Sequence, residues 1–80
     1  MTREEVYERL NNVFREILDD DTIELQDDTT ADDVDGWDSF EHINLVVGVE
    51  EEFNMKIPMG KVVTMKNVGE MVDIILELGQ

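Results

Sequence analysis

Gly36-Trp37-Asp38-Ser39-Phe40-Glu41 closes a long acidic stretch, and Leu45-Val46-Val47-Gly48-Val49-Glu50-Glu51-Glu52-Phe53 follows as an apolar run ended by acids. Together they read as the start and body of a helix over residues 38–53. Asp38 stands at the start with Glu41 three residues later, the spacing of an N-cap residue and its return partner. On a helical wheel, Phe40, Ile43, Leu45, Val46, Val47, Val49 and Phe53 cover more than half of the circumference, wider than the ~100° stripe of a helix facing one core. Such a helix is either central to a bundle, or divides its apolar arc between a core and something bound beside it.

Working outward, residues 2–18 read as a first helix. Thr2 and Glu5 have capping-box spacing, and Val6, Leu10, Val13, Phe14, Ile17 and Leu18 form one buried stripe. Asp19-Asp20-Asp21 stops it, because acids at a helix C-terminus oppose the dipole. Residues 19–37 form a long connection anchored by Ile23, Leu25 and Val34. Loops of this length are usually functional or disordered, and the anchors predict an ordered one with a helical turn. Pro58 suits the first turn of a short helix over 58–63. A last helix over 67–78 opens at Asn67, turns Val68, Met71, Val72, Ile75 and Leu78 inward, and ends at Gly79. With no strand signal and no repeat, the pattern predicts an all-α fold: a single domain over 1–80, built as a small bundle of three main helices and one short one with a long first loop.

The chain has 80 residues, a net charge of −15 and no cysteine. A domain of that size buries about 60% of its unfolded surface, so its stability should be modest. Residues 16–55 hold fifteen of the twenty-one acids and no Lys or Arg. That one-sign segment should steer cationic partners, and it excludes nucleic acid, whose phosphates need the opposite sign. No apolar run approaches the ~20 residues of a membrane span. The opening residues lack a signal peptide's apolar core, so the expected location is the cytoplasm, and the expected state a monomer.

Catalytic and metal chemistries fail on inventory. Asp33-Val34-Asp35-Gly36 suggests a calcium loop, but setting Gly36 at position 6 puts Ala31 first and His42 last, where Asp and a bidentate Glu are required. A serine nucleophile needs a base and a group to orient it, and the only histidine, His42, is expected to face the surface or a partner. Zinc would find one nitrogen ligand and no sulfur. Ser39 could itself cap the helix, but Asp38 fits the cap better. Ser39 then sits at the first helical position with its hydroxyl in solvent, where a phosphodiester would meet the free N–H groups of the first turn. Trp37 reads first as packing on the loop and helix start, and second as a contact for a partner or a bound group.

From Gly36 onward the chain resembles the acyl carrier proteins. Asp38-Ser39-Phe40 is similar to the family's Asp-Ser-Leu, Leu45 to Phe53 to its Leu-Val-x-x-(Leu/Val)-Glu-Glu-x-Phe run, Ile57-Pro58 to its Ile-Pro step, and Val68-Gly69-Glu70-Met71-Val72-Asp73-Ile74-Ile75 to its last helix. The resemblance implies a non-catalytic carrier with a 4′-phosphopantetheine arm on Ser39, added from coenzyme A by a phosphopantetheinyl transferase. The arm would present acyl thioesters to loading, transfer or condensing enzymes of fatty acid, polyketide or related lipid biosynthesis. Asp38, Glu41, Glu50 and Glu51, with Trp37 and His42, would form a face for docking on the basic patches of those enzymes. Phe40, Ile43, Val46, Val47, Val49, Ile57, Val62 and Met65 would line an acyl-chain pocket, or an ordinary core. The chain departs from the family's general fatty-acid type at Asn44 and at Lys56, Lys61 and Lys66, which leave the third helix without its acids. The alternatives are an aminoacyl or peptidyl carrier, and an acidic interaction module without a prosthetic group.

Overall fold

The computed structural model describes residues 1–79 as helices α1 (Arg3–Ile17), α2 (Ser39–Phe53), α3 (Met59–Val62) and α4 (Val68–Leu78), with a 3-10 turn at Ala31–Asp33. Among the described residues there is no strand, and the expected architecture of three main helices, one short one and a long first loop is the one observed.

Each long helix starts on a side-chain cap. Thr2 and Glu5 make both halves of a capping box, Asp38 accepts from the Glu41 N–H, and Asn67 accepts from the Glu70 N–H. Pro58 is the residue before α3 rather than its first helical position. Helices α1 and α2 end by the same device. Asp19 and Asn54 take left-handed conformations, both at φ 52°. The next N–H groups reach back to the Arg15 carbonyl (3.0 Å) and the Glu50 carbonyl (3.0 Å), the long bond of a Schellman ending. The acids after α1 therefore contribute more than an unfavourable dipole: one of them supplies the left-handed residue.

α1 packs on α2 and on α4. Val6, Leu10, Val13 and Phe14 meet Leu45, Val46, Val49 and Phe53 of α2 and Val68, Met71, Val72 and Ile75 of α4 in one buried cluster. Gly48 lets α1 and α2 approach: a Cβ there would lie 2.6 Å from Ile17 Cδ1 and 3.1 Å from Val13 Cγ1. The wide apolar arc of α2 is divided. Its Leu45, Val46, Val49, Phe53 side enters the core, while Phe40, Ile43 and Val47 are exposed.

The loop between α1 and α2 is ordered by pins spread along its length. Ile23 and Leu25 are buried, with the Ile23 carbonyl accepting from Arg15 Nε (2.8 Å) and the Leu25 N–H donating to Asn11 Oδ1 (2.8 Å). The loop then crosses the start of α4, where the Val68 and Gly69 N–H groups donate to the Thr29 and Asp27 carbonyls at 2.8 and 3.0 Å. Arg3 bridges Asp27 and Asp73, and the Tyr7 hydroxyl also donates to Asp27. These pins deliver residues 34–38 to one end of the bundle.

Candidate functional site at the start of α2

Gly36 at φ 88° turns the chain so that Trp37 points inward. Its ring meets the Phe14 ring edge-to-face, with centroids 5.0 Å apart, and it is buried. Of its two expected roles, packing is the one the structure gives. Its ring faces the core, and it also lines the cavity described below, so little of it is open to a docking partner. Its Nε1–H donates to His42 Nδ1 at 3.1 Å. An indole N–H only donates, so Nδ1 must be the acceptor and the imidazole proton must sit on Nε2. That Nε2 lies 3.3 Å from the Val62 carbonyl oxygen. His42 is therefore half-buried and engaged on both nitrogens. It also has no free nitrogen to act as a base for Ser39.

Asp38 and Ser39 stand next to this pair. Asp38 Oδ1 accepts from the Glu41 N–H at 2.8 Å, while the Glu41 carboxylate turns to Asn44 Nδ2 at 2.8 Å. Only half of the anticipated capping box forms. Because Asp38 caps, Ser39 is left exposed at the first position of α2, and the hydrogen bonds around it bypass its hydroxyl. A helix of this length presents unpartnered N–H groups in its first turn, which favour an anion.

A cavity of about 640 Å³ opens beside Ser39, lined by Ser39, His42 and Ile43 of α2, Val62 and Val63 at the end of α3, and Met65, Asn67 and Met71 beyond it. A larger depression of about 820 Å³ runs along Arg3, Tyr7 and Arg15 of α1 alone. It is a shallow groove on one helix, whereas the Ser39 cavity lies between elements. Of the residues expected to line an acyl pocket, Ile43, Val62 and Met65 do so. Val46, Val49 and Ile57 lie in the core, 6%, 0% and 7% exposed, and do not line this cavity. Phe40 is 76% exposed and Val47 46%, and neither reaches the cavity. Val63 and Met71 line it and were not anticipated. Their signal was the apolar phase of the segment after Pro58 and of α4, readable only once the two were placed side by side.

The expected acidic docking residues also separate. Glu51 is exposed and Glu41 half-buried. Glu50 turns inward, its Oε2 accepting from the Ile57 N–H at 2.7 Å. Through that oxygen it braces the segment before α3. Among the described residues no cluster of three His, Cys, Asp or Glu side chains could hold a metal ion, and no helix is long and apolar enough to cross a membrane.

The model of the family described as "Phosphopantetheine attachment site" matches residues 8–75. The acyl carrier protein of Acidothermus cellulolyticus is 33% identical over 76 residues, covering 94% of this chain and 89% of its own. That of Phenylobacterium zucineum is 33% identical over 73 residues, covering 91% and 92%. The solution structure of holo acyl carrier protein from Geobacter metallireducens superposes with a TM-score of 0.84 at 38% identity, covering 90% of this chain and 83% of that one. The chain belongs to the phosphopantetheine-attachment family, as an acyl carrier protein. Its prosthetic group is phosphopantetheine, and the residues present fit it. The start of α2 offers an unengaged hydroxyl, a helix N-terminus suited to a phosphodiester, and a part-apolar cavity beside both.

Proposed function

We propose that Ser39 is the attachment point of the arm, in a single carrier domain that presents acyl intermediates of fatty acid, polyketide or related lipid biosynthesis to its partner enzymes. The observation that carries this reading is the division of labour at the helix start: Asp38 caps, so the Ser39 hydroxyl is exposed and unspent. When bound, the arm supplies a terminal thiol on which acyl groups are held as thioesters. In the loading reaction the Ser39 Oγ–phosphorus bond forms as the phosphoanhydride bond of coenzyme A breaks. Adenosine 3′,5′-bisphosphate leaves, and the hydroxyl proton passes to a base of the transferase, since His42 is committed on both nitrogens.

The chain itself positions and recognises. Asp38, Glu41 and Glu51 form the acidic rim for basic patches on the transferase and on acyl-loading, acyl-transfer and condensing enzymes, with encounter rate the main quantity they set. Exposed Phe40, Ile43 and Val47 on α2, with Met59 and Val63 beside them on the α3 segment, supply apolar contact within that rim. Lys56, Lys61 and Lys66 make the α3 side unsuited to partners that require an acidic third helix.

The test is the protein isolated from its host. Fragmentation mass spectrometry should place one arm, with or without an acyl group, on Ser39. A fully unmodified chain, or an arm on any other residue, overturns the assignment.

A further inference from the structure

α3 is held loosely. It has four residues, of which Val62 alone is buried, while Met59 and Gly60 are exposed. Beyond the packing of Val62, two polar side chains from other helices reach it. Lys61 of α3 and Glu77 of α4 approach to 3.7 Å, both part-exposed, and such surface pairs contribute little. The second is His42, whose Nε2 faces the Val62 carbonyl at 3.3 Å. That carbonyl is one of the groups a helix leaves unpaired at its C-terminal end. Trp37 Nε1–H occupies the other imidazole nitrogen. The loop, α2 and α3 are thus joined through one ring, and that ring forms part of the wall of the cavity beside Ser39.

We infer that His42 is a specificity-setting latch: clasped between Trp37 and the Val62 carbonyl, it holds α3 against α2 and limits the cavity to short or polar cargo. A long apolar chain that runs past His42 between α2 and α3 must part the clasp, and it cannot replace either hydrogen bond. The imidazole Nε2–H and the Val62 carbonyl would then be left unpaired beside hydrocarbon, which is unfavourable. Cargo too short to reach them, or able to hydrogen-bond in their place, avoids that cost.

The charged groups sharing the cavity are Asp32 and Asp38 from the loop and Lys66 from the segment before α4. α3 and α4 contribute to it only Val62 and Met71.

The test compares wild type with His42→Leu, which removes both bonds, and His42→Gln, whose amide can accept from Trp37 and donate to Val62. A broad-specificity phosphopantetheinyl transferase loads each with the arm from acetyl- or octanoyl-coenzyme A, and thermal midpoints are read. The octanoyl form should exceed the acetyl form by about one degree or less in wild type and His42→Gln, and by several degrees in His42→Leu, since a better-lodged chain stabilises the fold that holds it. An equal increment in all three overturns the latch.

Two readouts are independent of loading. Imidazole nitrogen shifts should show the Nε2–H tautomer in wild type, becoming mixed in Trp37→Phe; an Nδ1–H tautomer overturns the clasp. Amide protection of Val62 and Val63, relative to α1 and α4, should fall about tenfold in His42→Leu. It should be kept in His42→Gln, whose amide can make both bonds. Unchanged protection in His42→Leu overturns the proposal. The cargo argument rests on Ser39 carrying the arm, so failure of wild type to load would count against that assignment. The tautomer and exchange results would still decide the clasp.

Discussion

Asp38 and Ser39 divide two tasks at the start of α2. Asp38 satisfies the Glu41 N–H, so removing it should destabilise the fold without touching the hydroxyl. Asp38→Ala is expected to cost about 1 kcal/mol in urea denaturation. Ser39→Ala should change stability by less than about 0.5 kcal/mol, as for an exposed side chain without partners. A larger loss for Ser39→Ala would mean that the serine, not the aspartate, holds the helix start. This division was legible in the sequence, since Asp38 and Glu41 stand at cap spacing. The partners of Trp37 and His42 were not. Their pairing depends on the turn at Gly36 and on the arrival of Val62 from twenty residues further on, and no local pattern encodes either. The bond that Glu50 makes was hidden for a similar reason. Glu50 reads as the outer edge of an acidic face, but the left-handed turn at Asn54 brings the Ile57 N–H back to it.

At the scale of elements, the over-wide arc of α2 was readable as an ambiguity and no further. Periodicity gives its width, but not which half faces α1. The close contact at Gly48 resolves this, because α1 can approach only where no side chain intervenes. That contact makes a prediction. Gly48→Val places methyl groups where Ile17 and Val13 already sit, and should destabilise by about 2 kcal/mol, as overpacked sites do. The better helix propensity of the new residue offsets only part of this. Equilibrium unfolding decides it, and an unchanged midpoint would show that α1 yields freely. The same division of α2 explains why Val46 and Val49 belong to the core while Ile43, a few residues away, reaches the cavity.

At the scale of the molecule, charge dominates the response to solution conditions. Tyr7 and then Arg3 hold the Asp27 carboxyl below the usual carboxylate range. The Thr2 backbone and hydroxyl lower Glu5, and the hydroxyl and backbone of Thr22 lower Asp20. For groups depressed in the folded state, the stabilisation is present above the ordinary carboxylate range and is lost as pH falls through the folded values. Tyr7 behaves oppositely. Burial first, and the Asp27 carboxylate second, push it from 10.0 up to about 12. Its contribution is complete below the ordinary tyrosine value and disappears as pH rises through the folded one. Thermal midpoints should therefore fall in acid and again between pH 10 and about 12, and Tyr7→Phe should reduce the alkaline fall. A net charge of −15 also repels itself, so added salt should raise the midpoint while slowing association with basic partners.

The central claim is that this chain is a carrier whose arm is held by Ser39, and loading tests it most directly. The unmodified protein is incubated with coenzyme A and a broad-specificity phosphopantetheinyl transferase, and its intact mass is taken. The account predicts a gain of one phosphopantetheine in the wild type and in Asp38→Ala, more slowly in the latter, and none in Ser39→Ala. No gain with several transferases, or a gain that survives Ser39→Ala, would contradict it.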